Sequence, residues 1–248
     1  MEQVQGNVGQ VNIPLAGEER ISCAARSIAT IIATPKIPGG SVSLDIGEGA
    51  GVHFILHGVL ASCELVVEVK AQAQFTLSVL GCLTAKHTLN VRVKTVGEGA
   101  NVHVQTALVC SAGAEVELRY ALEHASPRTF GRMVMRRIQH GKSTSTFKGM
   151  LKVGKGAHGT DTYLSDKVVL MGEGSKATSD PQLEILANDV KASHGATIGQ
   201  LSAEELFYLR ARGLDTVTAE SLLLQSFLKP ALIGVPLELQ QQYLNPNF

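Results

Sequence analysis

Short runs of alternating apolar and polar residues recur along most of the chain. Val42, Leu44 and Ile46 form one such run, and similar runs continue to about residue 186. An alternation of period two predicts β-strands, because successive side chains of a strand point to opposite faces. No helical pattern separates the runs, so a doubly wound α/β fold is not expected.

Glycine-rich turns punctuate these runs. Gly47–Ala50 and Gly97–Ala100 share the sequence Gly-Glu-Gly-Ala and lie fifty residues apart. Short strands joined by recurring turns are compatible with a sandwich, a barrel or a β-solenoid. The recurring turn favours the solenoid, because each rung needs a corner that glycine forms at little cost. The turns lack the spacing of a phosphate-binding loop.

The two ends of the chain differ from this pattern. Residues 1–40 alternate more loosely and are interpreted as lead-in edge strands that close with the turn Pro38–Gly40. They are assigned to a β core that spans residues 1–199. Beyond it the apolar period becomes helical, so residues 200–248 are predicted to form a small helical segment.

Capping signals support three helices in this segment. Ser202 and Glu205 have the spacing of a capping box, and Gly213 suits the position after a helix end. Thr216 or Thr218 is expected to cap the second helix, and Pro236 to begin the third. The predicted apolar face of the second helix consists of Leu222, Leu223, Leu224 and Phe227.

Composition excludes several classes of partner. Lys plus Arg and Asp plus Glu each total 22, and only 4% of residues are aromatic, which argues against a nucleic-acid partner. The basic run 128–137 is interpreted as a paired or solvated strand face. No apolar run is long enough to span a bilayer, and no signal peptide pattern begins the chain. We therefore expect a cytoplasmic protein without a membrane partner, whose four cysteines are thiols packed as small hydrophobes.

Candidate chemistry lies late in the chain. Oxygen and imidazole groups of the kind that bind iron or zinc occur within about 35 residues, although such groups also serve in turns and caps. They are Asp161, Asp166, Asp180, Asp189 and His194. His53 and His103 follow equivalent turns and either approach each other or face solvent. No catalytic motif is present, and no recurring carboxylate pair points to a carbohydrate-cleaving solenoid, so an enzyme is not expected.

The stretch from Ser179 to Gly213 resembles the C-terminal signature of the SufB/SufD family, the scaffold subunits of the SUF iron–sulfur cluster assembly system. The resemblance is long and ungapped in this stretch, extends more weakly upstream and through the helical tail, and in all covers roughly residues 130–244. Its most specific parts are Asp189-Val-Lys191, Ser193-His-Gly-Ala-Thr197 and Leu206-Phe-Tyr-Leu209. The Ser-His-Gly-Ala-Thr spelling is SufD-like.

The resemblance implies a fold and a set of partners. The family core is a right-handed parallel β-helix, and its C-terminal helices dock onto the ABC-type ATPase SufC. Residues expected to contact that ATPase are Leu206, Phe207, Leu209 and Phe227. The β-helix ends pair with a SufB-like or identical subunit, which places Lys191, His194 and Thr197 at a scaffold interface.

The same resemblance implies a transient iron–sulfur cluster or iron at the subunit interface. His194 is the candidate nitrogen ligand, and Asp166 or Asp189 the candidate oxygen ligands. The cysteines of the family pattern are replaced here, with Ser165 and Asp166 at one position and Ala192 at the other. A cluster held stably by this chain alone is therefore not expected. The alternative is a structural dimerisation subunit without a cluster or metal site of its own.

Overall fold

The computed structural model describes residues 2–35, 39–58 and 62–244. Its strands alternate along the chain between two parallel sheets of eight strands each. Sheet A contains β1 (Glu2–Val4), β3 (Glu18–Cys23), β5 (Gly40–Ile46), β7 (Cys63–Val69), β9 (Lys86–Thr95), β11 (Glu115–His124), β13 (Thr144–Val153) and β15 (Lys176–Ile185). Sheet B contains β2 (Asn7–Leu15), β4 (Ile28–Pro35), β6 (Gly51–His57), β8 (Gln74–Leu83), β10 (Asn101–Cys110), β12 (Phe130–His140), β14 (Thr160–Met171) and β16 (Val190–Gly199).

Each strand inside a sheet pairs with the strands two before and two after it in the chain, and β1, β2, β15 and β16 form the sheet edges. One strand of sheet A and the following strand of sheet B therefore make one rung of a parallel β-helix. The predicted β-helix with a helical C-terminus is confirmed, and the sandwich and barrel alternatives are wrong. The alternating apolar residues form the core between the two sheets. In β6, for example, Val52, Phe54 and Leu56 point inward and are at most 3% exposed.

The glycine turns form the corners between the two sheets. Gly49 and Gly99 have φ angles of +64° and +70°, in the region that glycine adopts without a steric cost. The fifty-residue repeat skips one rung, whose corner carries Gln72 at φ +55°. Hydrogen bonds stack the corners, since the Gly49 N–H donates to Ala71 O at 2.9 Å and the Gln72 N–H donates to Glu98 O at 2.9 Å.

The lead-in strands belong to the same two ladders as the rest. β3 pairs with β1 and β5, and β4 pairs with β2 and β6. The interpretation of residues 1–40 as edge strands is therefore wrong for β3 and β4, because a parallel ladder supplies partners from distant parts of the chain. Part of the predicted turn, at Pro38, lies outside the described residues.

The helical segment contains α1 (Ala203–Ala211), α2 (Thr216–Leu228), a 3₁₀ turn (Lys229–Ala231) and α3 (Leu237–Leu244). The Ser202 cap is confirmed, as its Oγ accepts from the Glu205 N–H at 3.2 Å. Gly213 follows α1 with φ +93°. The threonine cap of α2 is wrong, because the Asp215 carboxylate accepts from the Thr218 N–H at 2.9 Å.

The segment beyond α1 folds back onto the outer face of sheet B. Outward side chains such as Ile55, Leu80 and Ala107 pack in one apolar cluster with Leu228 and Leu232. Specific hydrogen bonds hold this layer in place. The Gly58 N–H donates to the Tyr243 hydroxyl at 3.0 Å, and Gln105 Nε2 donates to Ile233 O at 2.6 Å.

The predicted apolar face of α2 is only partly correct. The helix buries Ala219, Leu224 and Leu228, while Leu222 is 41% exposed. None of the described helices is both long and apolar enough to cross a membrane.

Candidate functional site

The last rung, β15 and β16, is an uncovered end of the β-helix. Each of its strands pairs on one side only, with β13 and β14 respectively. Ile185, Leu186 and Ile198 remain 40–49% exposed there. An open strand edge with apolar side chains is a template for pairing with another chain. This end is therefore suited to contact a partner.

His194 lies at the centre of this end. It pairs in register with Leu164, whose side chain points into the core and is fully buried. Residues in register share a face of the sheet, so His194 continues an inward-facing column that no further rung covers, and it is exposed. Lys191 and Thr197 pair with Asp161 and Lys167 and share the outer face of sheet B. The proposed interface residues therefore lie on one edge strand but on its two faces.

Asp166 lies in the core and not on the surface. Both it and Arg137 are fully buried. Arg137 Nη2 donates to Asp166 Oδ2 at 2.6 Å and Arg137 Nε to Oδ1 at 3.2 Å, while Nη1 donates to Ser145 Oγ at 2.5 Å. Both carboxylate oxygens thus already bind a cation in its own chain.

Asp189 is exposed at the corner before β16. Its carbonyl accepts from the Gly159 N–H at 2.7 Å. Five residues of extended chain separate it from His194, which corresponds to about 16 Å. The structure therefore does not bring the three candidate ligands together. Within residues 2–35, 39–58 and 62–244, it forms no group of three His, Cys, Asp or Glu side chains that would hold a metal.

The two repeated histidines do not meet. Both pair with Thr76, which lies between them on β8. His53 Nε2 lies 2.7 Å from Ser78 Oγ, and burial lowers its pKa to about 4. His103 is exposed on the other side of β8, with its ring 5.5 Å from Phe130. The idea that their imidazoles approach each other is wrong.

Three of the four thiols are core residues. Cys23, Cys63 and Cys110 are buried, and burial raises the pKa of each to about 11. They are unsuited to act as thiolate ligands in this conformation. The interpretation as small hydrophobes is confirmed for these three, whereas Cys82 is exposed.

The proposed ATPase-binding residues divide into two groups. Phe207 on α1 is 74% exposed, and Leu206 and Leu209 are half-buried beside it. Phe227 on α2 instead packs against the apolar cluster on sheet B, and its ring lies 5.7 Å from the guanidinium carbon of Arg136. Phe207 is thus available to a partner, while Phe227 is largely committed to its own chain.

Sequence reasoning missed two close contacts near the last rung. Arg137 continues the inward alternation of Met133 and Met135, so the period itself was the signal for its burial. Gly195 lacks the side chain whose Cβ would lie 3.1 Å from the Tyr163 hydroxyl. The glycine therefore lets Tyr163 lie across the edge strand.

Residues 35–227 match the family model for the SufBD core domain of the SUF system for iron–sulfur cluster assembly. The chain belongs to the SufB/SufD family. The match covers most rungs of the β-helix, the last rung and α1. The resemblance recognised in Ser179–Gly213 is therefore confirmed and extends upstream to β4.

Named SufB/SufD relatives come from several bacteria. The chain is 30% identical to the iron–sulfur cluster assembly protein SufD of Escherichia coli over 148 residues, 60% of this chain and 34% of the relative. It is 32% identical to a SufBD family protein of Synechocystis over 161 residues, 64% of this chain and 34% of the relative. It is 25% identical to SufB of Bacillus subtilis over 142 residues, 57% of this chain and 30% of the relative. The matched part spans about a third of each of these relatives.

Proposed function

We propose that this chain is a SufD-like, non-enzymatic scaffold component of the SUF machinery. In this proposal the last rung pairs with a SufB-like subunit or a second copy, and α1 contacts a SufC-type ABC ATPase in the cytoplasm. The observation that carries the proposal is the uncovered last rung, because the Ser-His-Gly-Ala-Thr stretch of the family forms its edge strand. The iron or nascent cluster is cargo of the complex.

The placement of His194 supports a role at the shared interface. The residue is exposed and central on an edge strand, so its imidazole is free to meet groups from a second chain. Since Asp166 is bound to Arg137 and Asp189 lies about 16 Å away along the strand, the remaining ligands would come from the partner. Of the three candidate ligands, His194 is thus the one that fits a shared site.

A purely structural dimerisation subunit is the second candidate function. It is favoured by the internal pairing of Asp166 with Arg137 and by the burial of three of the thiols. In that case the open edge and its apolar residues would hold the partner without contacting the cargo.

The two functions are separated by anaerobic reconstitution with iron and sulfide. Wild type, His194→Ala and His103→Ala are each assembled with the partner subunit and measured by optical and Mössbauer spectroscopy. We expect His194→Ala to lower the cluster yield while the complex still forms, and the exposed His103→Ala control to match wild type. Equal yields in all three complexes would remove the ligand role and leave the structural function.

ATPase docking is tested by co-purification. Phe207→Asp is expected to abolish the complex with the ATPase, because it places a charge on an aromatic side chain that is 74% exposed. Ile233→Asp is the matched control, since Ile233 is 71% exposed on the same segment but beyond α2. An intact complex with Phe207→Asp would contradict the role of α1.

A further inference from the structure

Four arginines lie in the basic run 128–137, and three of them pair with carboxylates. Arg128 binds Glu98, Arg132 binds Asp161 at 2.8 Å, and Arg137 binds Asp166 at 2.6 Å. Arg136 differs from these three. Among the described residues, no carboxylate lies within ion-pair distance of its guanidinium.

Arg136 is nevertheless largely withdrawn from water. It is 9% exposed, and among the described residues Nη1 donates to Met135 O at 2.9 Å and to Ser165 Oγ at 3.5 Å. Burial lowers its pKa, but a guanidinium stays charged at any physiological pH. The Asp166 carboxylate favours the charged form of Arg136, but it is already bound to Arg137. A buried cation that must share its counter-charge is costly in the isolated chain. Such a cost is expected where a partner supplies the missing charge.

The neighbouring strand adds a second cation instead of an acid. Lys167 pairs in register with Arg136 across β12 and β14, and it is exposed with no ion pair to any described residue. Like charges opposite each other on one face of a sheet repel. An anion between the two side chains would remove this repulsion.

The surroundings fit a protein segment better than a small molecule. The Phe227 ring lies 5.7 Å from the guanidinium carbon of Arg136, Ser165 pairs in register with Gly195, and the Tyr163 hydroxyl lies beside Gly195. This surface, the Arg136 face, lies on the outer side of sheet B next to α2, where Phe227 partly covers Arg136 while Lys167 remains exposed. A sheet face of this kind differs from the deep clefts that enclose small ligands. Arginine and tyrosine around a partly dehydrated centre are enriched in protein interfaces.

We propose that the Arg136 face binds an acidic segment of a protein partner, with an aspartate or glutamate carboxylate between Arg136 and Lys167. The planar fork of Arg136 suits bidentate binding of a carboxylate. The inference goes beyond the scaffold function, because it concerns the outer face of sheet B and needs neither iron nor His194. If His194 proved not to be a ligand, the proposal for the Arg136 face would be unaffected. If no acidic peptide bound at Arg136, the proposed scaffold function would be unaffected.

The test uses the full chain and a hexaglutamate peptide as the probe. Binding is followed by NMR at the arginine Nε–Hε resonances at low salt, with inorganic phosphate titrated in parallel. We expect the peptide to shift the Arg136 resonance and to bind roughly fivefold more weakly to Arg136→Gln. Lys167→Gln provides a second variant at an exposed position, in which the same direction of change is expected.

Arg92→Gln is the matched control, because Arg92 is exposed on sheet A and the charge change is identical. Its affinity for the peptide should equal that of wild type. An Arg136 resonance that does not move, or equal weakening by Arg92→Gln, would overturn the proposal. Phosphate that binds Arg136 as tightly as the peptide would also overturn it, in favour of a small-oxyanion site.

Discussion

Arg137 holds Asp166 inside the β-helix through two hydrogen bonds, with both side chains fully buried. Breaking such a pair leaves one buried charge without compensation. We predict that Asp166→Ala lowers the free energy of unfolding by about 3–5 kcal/mol in urea denaturation. Asp161→Ala is the control, since its carboxylate pairs with the partly exposed Arg132, and its cost should stay below about 1 kcal/mol. Similar losses for the two variants would contradict this account.

The stability of the chain should depend on pH through His124. This residue is fully buried, with Nδ1 2.8 Å from Thr129 Oγ1 and Nε2 3.1 Å from Thr162 Oγ1. Burial lowers its pKa from 6.5 to about 4. As pH falls, His124 therefore takes up its proton in the unfolded chain before it does so in the folded one. The stability that neutral, buried His124 contributes is complete above pH 6.5 and is lost between pH 6.5 and about 4.

The size of this contribution follows from the shift and is about 3 kcal/mol. Unfolding measured from pH 7 to pH 4 should show a smaller decline in His124→Gln than in wild type. Some loss of stability at low pH should remain in this variant, because burial also lowers the pKa of His53. An unchanged profile in His124→Gln would show that His124 does not titrate in this way.

Corner glycines should differ sharply in their tolerance of alanine. A Cβ on Gly97 would lie 2.0 Å from Ala71 N, whereas a Cβ on Gly156 would meet nothing within 4 Å. We predict that Gly97→Ala lowers the free energy of unfolding by about 2–3 kcal/mol or prevents folding, because the clash is with backbone. Gly156→Ala should stay within about 0.5 kcal/mol of wild type in the same denaturation assay.

The two phenylalanines of the helical segment should separate in a stability measurement. Phe227 packs on sheet B and Phe207 is 74% exposed. Phe227→Asp is expected to destabilise the chain by about 2 kcal/mol, and Phe207→Asp by less than about 0.5 kcal/mol. Thermal unfolding of the isolated chain measures both. An unchanged unfolding temperature for Phe227→Asp would contradict the packing of Phe227 on sheet B and would favour its role in binding a partner.

Local sequence was sufficient to predict the strands, the glycine corners and the cap of α1, but not the Asp215 cap of α2. Alternation identifies strands such as β6, and the φ > 0 corners at Gly49 and Gly99 follow from what glycine permits. The cap at Ser202 follows from its spacing to Glu205. These features depend on residues close together in the chain, which is why a sequence pattern records them.

Only the tertiary structure decided which polar residues meet. Rung length changes along the chain, since Gly40 pairs with Cys63, 23 residues later, but Phe130 pairs with Asp161, 31 residues later. A fixed repeat therefore does not predict that Arg137 pairs with Asp166. Nor does it predict that Arg136, on the opposite face of the same strand, forms no ion pair with a described residue. The packing of α2 and α3 on sheet B was also not predicted from the sequence. It depends on apolar residues from many rungs, which lie together only after the β-helix has formed.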